Sequence, residues 1–302
     1  MGLLAWPATE HTLAEWITAR AIGKPLISHQ NKVKPETIAS MLSALRSVHV
    51  DRRYSLVPFE SPWLKRILDG IKRCQPDSEI RKAEPISKQT LVKTLESCTT
   101  SIPDINFSTA CKVAWAGFLR SGEFTYSEKD QPFSRNFINT KLTRSDITFD
   151  EQSKYAILRL KRSKTDYDHK GVEIVLAATH NDICPVAALQ ELFQVDKQLS
   201  SAPLFRSETG AFDYDYFVNT LRKHLRKIDD PRADRYSGHS FRRGAAQHAA
   251  DNGVLDDDIQ RLGRWSSDAF KRYFNTSFAH RFSLNKRFLT GKAPPLSTYQ
   301  AL

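Results

Sequence analysis

The sequence predicts a mainly α-helical chain with a small antiparallel β-sheet, divided into two domains. Three observations predict it. Apolar residues recur at helical spacing over most of the chain, while short apolar and β-branched runs cluster between Ser145 and Leu176. A polar, charged stretch from Asp77 to Glu84, closed by Pro85, interrupts both patterns and reads as a linker. At 302 residues the chain is long enough for two cores. The expected division is a helical domain over 1–76, a linker over 77–86, and a larger domain with its C-terminal tail over 87–302.

The first domain reads as helices only. Leu13, Trp16 and Ile17 share one helical face. Pro35 suits the first turn of a second helix, whose apolar stripe is Ile38, Met41, Leu42 and Leu45. Ser61-Pro62 is an N-cap followed by proline, and it opens a third helix with Leu64, Ile67, Leu68 and Ile71 inward. Lys65, Arg66, Lys72 and Arg73 occupy its other faces, as a solvated surface or as phosphate contacts. Three helices make a small domain, and an upstream helix is expected to be missing.

In the second domain Ser87 caps a helix with Leu91, Val92 and Leu95 inward. A more apolar helix follows over Phe107 to Leu119 and ends at Arg120-Ser-Gly-Glu123. Strands are expected at 145–149, 155–160 and 172–176, with a basic hairpin tip, Lys161-Arg-Ser-Lys-Thr-Asp166, between the last two. Helices return at 185–193 and 216–227. Ser237-Gly-His-Ser-Phe-Arg-Arg-Gly-Ala-Ala246 then opens another helix, on which His239 and Arg242 are spaced i,i+3 and share a face. Tyr273 falls on a short helix capped by Ser266 or Ser267.

The net charge of +11 favours a polyanionic partner, nucleic acid ahead of membrane surface. No apolar run approaches the ~20 residues that span a bilayer. The four cysteines are Cys74, Cys98, Cys111 and Cys184. They form no C-x-x-C pair, so neither a zinc module nor another metal site is expected. No carboxylate cluster marks a magnesium site and no phosphate-binding glycine loop is present, so no cofactor is expected.

Individually the polar motifs have ordinary explanations. Arg120 could snorkel from an apolar helix, and the hairpin tip could be simply solvated. His239, Arg242 and Arg243 could form a phosphate clamp without chemistry, and Tyr273 could be a core residue. Together they match phosphoryl transfer. Two arginines can grip the non-bridging oxygens of a phosphodiester, and a lysine can protonate a leaving oxygen. A histidine can handle the proton of a nucleophile, and a tyrosine hydroxyl becomes a competent attacker in that field.

In this order, the motifs resemble those of the tyrosine recombinases of the phage-integrase and Cre type. Leu119-Arg-Ser-Gly-Glu123 is similar to the first-arginine motif, and Arg162-Ser-Lys-Thr165 to the lysine hairpin. Gly238 to Ala246 resembles the His-x-x-Arg box, Gly263-Arg-Trp265 the His/Trp position, and Tyr273 the nucleophile. The resemblance implies a SAM-like helical core-binding domain followed by an integrase-like catalytic domain. It implies Arg120, Lys164, His239, Arg242, Trp265 and Tyr273 as catalytic residues, with Glu123 supporting them. Tyr273 would attack the scissile phosphate to give a 3′-phosphotyrosine and a free 5′-hydroxyl. Arg120 and Arg242 would hold the phosphate, Lys164 would act as general acid, His239 would assist proton transfer, and Trp265 would buttress the site. Lys65, Arg66, Lys72, Arg73, Lys161, Arg162 and Arg243 would contact double-stranded DNA. The implied assembly is a homo-tetramer on paired DNA sites, with residues 278–288 docking on a neighbouring protomer. The implied process is DNA recombination or integration.

The spacing departs from the family in one place. Trp265 precedes Tyr273 by eight residues where nine is usual, and Arg264 stands at nine. The Gly-Arg-Trp-Ser-Ser-Asp-Ala-Phe-Lys-Arg-Tyr form is closer to recombinases of eukaryotic mobile elements such as the Crypton group. That leads to the expectation of a transposon-derived enzyme working in the nucleus. Two other readings remain: a type IB topoisomerase, which uses nearly the same residues but generally has lysine in place of the histidine, and a non-catalytic DNA-binding relic. A helix-turn-helix over 240–263 is a poorer one, because Asp256, Asp257 and Asp258 at the start of its second helix would repel phosphate.

Overall fold

The computed structural model describes residues 6–23, 32–75, 83–162, 170–208, 210–267, 270–271 and 289. The chain forms two compact units, Met1–Arg81 and Lys82–Leu302.

The first unit contains α1 (Glu10–Ile22), α2 (Pro35–Asp51) and α3 (Pro62–Cys74). Local chemistry sets their starts. The Thr9 hydroxyl accepts the Thr12 amide ahead of α1, and the Ser61 hydroxyl accepts the amides of Trp63 and Leu64 ahead of α3. Proline stands in the first turn of α2 and of α3, where its missing N–H costs nothing. Leu13, Ala14, Ile17, Ile38 and Leu64 form the core, flanked by Trp16, Leu42, Leu45, Ile67 and Leu68. His49 is fully buried beside it. Its Nε2 accepts the Ala8 amide at 3.1 Å, so the ring proton sits on Nδ1, 2.8 Å from the Ser55 carbonyl. Lys65, Arg66, Lys72 and Arg73 are all exposed on α3.

The second unit is built around α5 (Ile102–Ala116), preceded by α4 (Lys88–Glu96). Phe107, Ala110, Cys111, Val113, Ala114 and Trp115 of α5 are buried on nearly every face, as expected of a helix enclosed by neighbours. Two short helices follow, α6 (Ser121–Phe124) and α7 (Arg135–Thr140). The sheet is β1 (Ile147–Phe149), β2 (Tyr155–Leu160) and β3 (Val172–Ala177), antiparallel in that order. Ala156, Leu158 and Leu160 alternate inward on β2, and their partners Leu176, Ile174 and Val172 extend the same face. Then come α8 (Pro185–Val195), α9 (Tyr214–Lys227), α10 (His239–Asp251) and α11 (Asp256–Gly263). α8 and α10 both pack on α5.

Several boundaries differ from the sequence reading. α5 starts five residues earlier than expected, after the Ser101 cap, and ends at Ala116 instead of Leu119. Residues 144–146 form a 3-10 turn, not strand, because the Asp146 carboxylate turns back to accept the Thr143 amide at 2.7 Å. Most of the stretch read as a linker lies outside the described residues. Its end does not behave as a tether: the Glu84 and Ile86 amides bond to the carbonyls of Arg235 and Ser240, and Ile86 is fully buried.

Candidate active site

The site is assembled at the C-terminal end of α5. The last carbonyls of a helix lack internal partners and carry partial negative charge, which favours cations. Here arginines supply the donors. Arg264 Nη1 lies 2.9 Å from the Gly117 carbonyl, and Arg242 Nη1 lies 2.5 Å from the Phe118 carbonyl. Phe118 itself has a positive φ of 50°, which turns the chain sharply out of α5 and delivers Arg120 to the start of α6.

Glu123, one helical turn later, is the anionic centre. Its Oε2 accepts the Arg120 amide at 2.8 Å, its Oε1 accepts Arg120 Nη1 at 2.8 Å, and Arg264 Nη2 reaches Oε2 at 3.0 Å. Burial lowers the Arg264 guanidinium from its ordinary value, and the Glu123 charge opposes that shift.

α10 is brought to this turn by close packing at its N-cap. A Cβ on Gly238 would lie 2.5 Å from the Ser121 side chain, so only glycine lets His239 follow so near to Arg120. Three residues on, Arg242 points inward. It is 2% exposed, its Nη2 donates to the Gly263 carbonyl, and its guanidinium stacks on the Trp265 ring at 4.1 Å. A Cβ on Gly263 would fall 1.6 Å from that ring, so glycine is required for the indole to lie under the arginine. Phe118 and Phe270 pack on the indole as well.

A cleft of about 620 Å³ opens beside these groups. Arg120, Arg162 and His239 line it from three separate regions of sequence, together with Asn136, Thr140 and Lys141. Glu123 is the carboxylate among its lining residues. The structure therefore gathers Arg120, Glu123, Arg162 and His239 at one surface, with Arg242, Arg264 and Trp265 packed at the adjoining helix ends. Lys164 and Tyr273 lie outside the described residues, as does the segment 278–288.

Two residues expected to face DNA have other partners. Lys161 is 18% exposed in its side chain and is tied to the Asp146 carboxylate at 2.5 Å, with the Lys141 carbonyl at 3.2 Å and the Thr143 hydroxyl at 3.1 Å. It anchors the base of the hairpin from which exposed Arg162 reaches the cleft. Arg243 is 9% exposed and its Nη1 donates to the Ala83 carbonyl at 2.6 Å, clasping the start of the unit onto α10. The cost of burying a cation without partners explains both settings: each fills carbonyl or carboxylate acceptors where it emerges from the core.

Asn136, Thr140 and Lys141 belong to no motif, and nothing in the sequence singles them out. By sequence Arg264 stands only as a substitute for Trp265; the structure gives the two residues different work, one on Glu123 and one under Arg242. Among the described residues no group of three or more His, Cys, Asp or Glu side chains could hold a metal ion. No helix among them is long and apolar enough to cross a membrane.

No protein-family model matches the chain, and no curated protein matches it in sequence. Solved structures do match in fold. The XerH site-specific recombinase, in a post-cleavage complex with palindromic difH substrate, aligns with a TM-score of 0.58 at 15% identity, covering 94% of this chain and 73% of that one. The Tn1549 transposon integrase in complex with transposon right end DNA aligns at 0.57 and 14% identity, covering 94% and 86%. Its complex with circular intermediate DNA aligns at 0.56 and 14% identity, covering 92% and 85%. The mostly helical second unit with its three-stranded antiparallel sheet thus has the tyrosine recombinase fold.

Proposed function

We propose that the chain is a tyrosine recombinase that cuts and rejoins double-stranded DNA through a 3′-phosphotyrosine intermediate. The observation that carries this reading is the convergence of Arg120, Arg162 and His239 on one basic cleft, from positions far apart in sequence, within a fold shared with DNA-bound recombinases. Arg120 presents its guanidinium for a non-bridging phosphate oxygen, and Arg242 supplies a second after leaving the Phe118 and Gly263 carbonyls. The Tyr273 oxygen attacks phosphorus and its proton passes toward His239. The bond from phosphorus to the 5′-oxygen breaks, and Lys164, two residues beyond Arg162, gives that oxygen a proton. A 5′-hydroxyl of a partner strand reverses the sequence and reseals the backbone without net hydrolysis. Trp265 holds Arg242 until the phosphate arrives. The exposed cations of α3 grip the duplex from the first unit, and four copies assemble on paired sites. A mobile-element origin and work in the nucleus complete the proposal.

The test is a set of nicked suicide duplexes carrying the sequences that flank the coding segment, together with a randomised pool. Wild-type protein is expected to become covalently attached to a DNA 3′ end, and Tyr273→Phe to lose that product. A second reading is favoured by the depth of Arg242, whose donors are committed to main-chain carbonyls. On that reading the chain binds DNA without cutting it. Duplex binding with no covalent product, at any salt concentration, would establish it in place of the first.

A further inference from the structure

Arg162 and Lys141 also line the cleft, but at Arg120 itself a carboxylate offsets the guanidinium charge. Arg120 is bonded to Glu123 through both its guanidinium and its amide. A guanidinium held that closely to a carboxylate is neutral as a pair, and the carboxylate lines the same cleft. A phosphate approaching such a pair meets little net attraction.

A second guanidinium on the same carboxylate changes the balance. Arg264, from the end of α11, reaches Glu123 Oε2 at 3.0 Å. Its side chain is 12% exposed against 18% for Arg120, so the more accessible cation is the one at the cleft. Arg264 is fixed in place by the Gly117 carbonyl at 2.9 Å and holds a left-handed backbone with φ 56°. Two arginines and one carboxylate leave a formal charge of +1. Glu123 then serves as a rigid mount for Arg120 without cancelling it.

We infer that Arg264 is a positioning residue whose charge offsets Glu123, so that Arg120 attracts a phosphate anion. The inference rests on reading the cleft as a phosphodiester site, and its test separates it from strand cleavage. The probe is inorganic pyrophosphate, titrated into the full chain while the side-chain N–H signal of Arg120 is followed by NMR. Arg264→Gln is expected to weaken pyrophosphate binding about tenfold, the scale of one partly screened charge a few ångströms away. Adding Glu123→Gln should restore affinity to within about twofold, because the charge that Arg264 offsets is then gone. A merely structural role would make the double variant worse than the single one. Arg264→Lys keeps the charge but not the two-nitrogen bridge from Glu123 to the Gly117 carbonyl, and its affinity should fall between those of wild type and Arg264→Gln. The left-handed backbone disfavours Gln, Lys and Arg alike, so that contribution cancels among the variants. Unchanged affinity in Arg264→Gln, no rescue in the double variant, or no pyrophosphate response at Arg120 in wild type would each overturn the inference. The covalent assay runs in parallel on the same proteins. Rescue of pyrophosphate binding without any DNA adduct would uphold the role of Arg264 and refute strand cleavage.

Discussion

Two carboxylates in the second unit are each gripped by two arginines, and they differ in what surrounds them. Asp196, 2% exposed, accepts from Arg144 at 3.0 Å, from Arg206 at 2.7 Å, from Asn106 at 3.0 Å and from Gln198 at 3.0 Å. It thereby ties α5, the end of α8, the turn before β1 and the loop at Arg206. Burial alone would push its carboxyl up, but the donors around it hold it well below the usual carboxylate range. Glu123 accepts from Arg120 and Arg264 with the same chemistry, yet Arg120 also borders the cleft. Asp196 itself is closed off, but its more accessible partner, Arg206, borders a separate cavity in which it is the single basic residue and Glu128 the single carboxylate. Arg120 borders the cleft that Lys141, Arg162 and His239 also line.

The comparison is sharpest where mutations should separate the two. Asp196→Ala strands a buried arginine and should cost about 3–5 kcal/mol of stability, read by denaturant unfolding, while any folded fraction should still form the proposed covalent product. Arg120→Ala should behave oppositely. Covalent-product formation should fall by about 10²–10³-fold, as when one preorganised donor is lost from a transition state, with a much smaller change in melting temperature. If Arg120→Ala unfolds the protein and Asp196→Ala leaves its stability unchanged, the distinction between the clusters is wrong.

A third polar group tests whether stability and site chemistry separate with pH. His224 is 1% exposed, with Nε2 3.4 Å from Asp104 and Nδ1 2.9 Å from the Ser97 hydroxyl. Burial lowers its pKa, partly opposed by the Asp104 charge. Burial would raise Asp104, but the amide and hydroxyl of Thr99 outweigh it and the net shift is downward. Both folded-state values lie below the unfolded ones, so both contributions are present at neutral pH and are lost on acidification. His224 acts first, as pH falls through about 6.5, and Asp104 follows below about 4. His224→Gln should flatten the stability curve between about pH 7 and 5, measured by thermal melts across that range. The smallest effect is expected on α3. Replacing Lys72 and Arg73 by alanine should leave stability nearly unchanged. In duplex-binding titrations at several salt concentrations, the slope of log affinity against log salt should become shallower by about one for each phosphate these side chains neutralise.

Much of this is legible in the sequence itself. The i,i+3 pair of His239 and Arg242, the arginine after an apolar helix, and the alternation of β2 each follow from periodicity. Periodicity gives a face but not a depth. It puts Arg242 and Arg243 on a helix without revealing that both are buried against carbonyls contributed from Phe118, Gly263 and Ala83. It groups Lys161 with Arg162 in one basic tip, although Asp146 claims the first and the cleft the second. Lys141 and Asn136 are illegible because short α7 carries no motif, and only the tertiary fold brings it beside α6. The partnership of Arg264 with Glu123 depends on a contact between positions 141 residues apart, for which local pattern has no signal.

If the cleft serves a tyrosine that attacks DNA, the covalent product must carry that tyrosine. Digestion of the product followed by mass spectrometry tests this most directly. The expected species is a nucleotide linked through its 3′-phosphate to the peptide containing Tyr273. A linkage at any other residue, or intact DNA bound with no linkage at all, would contradict it.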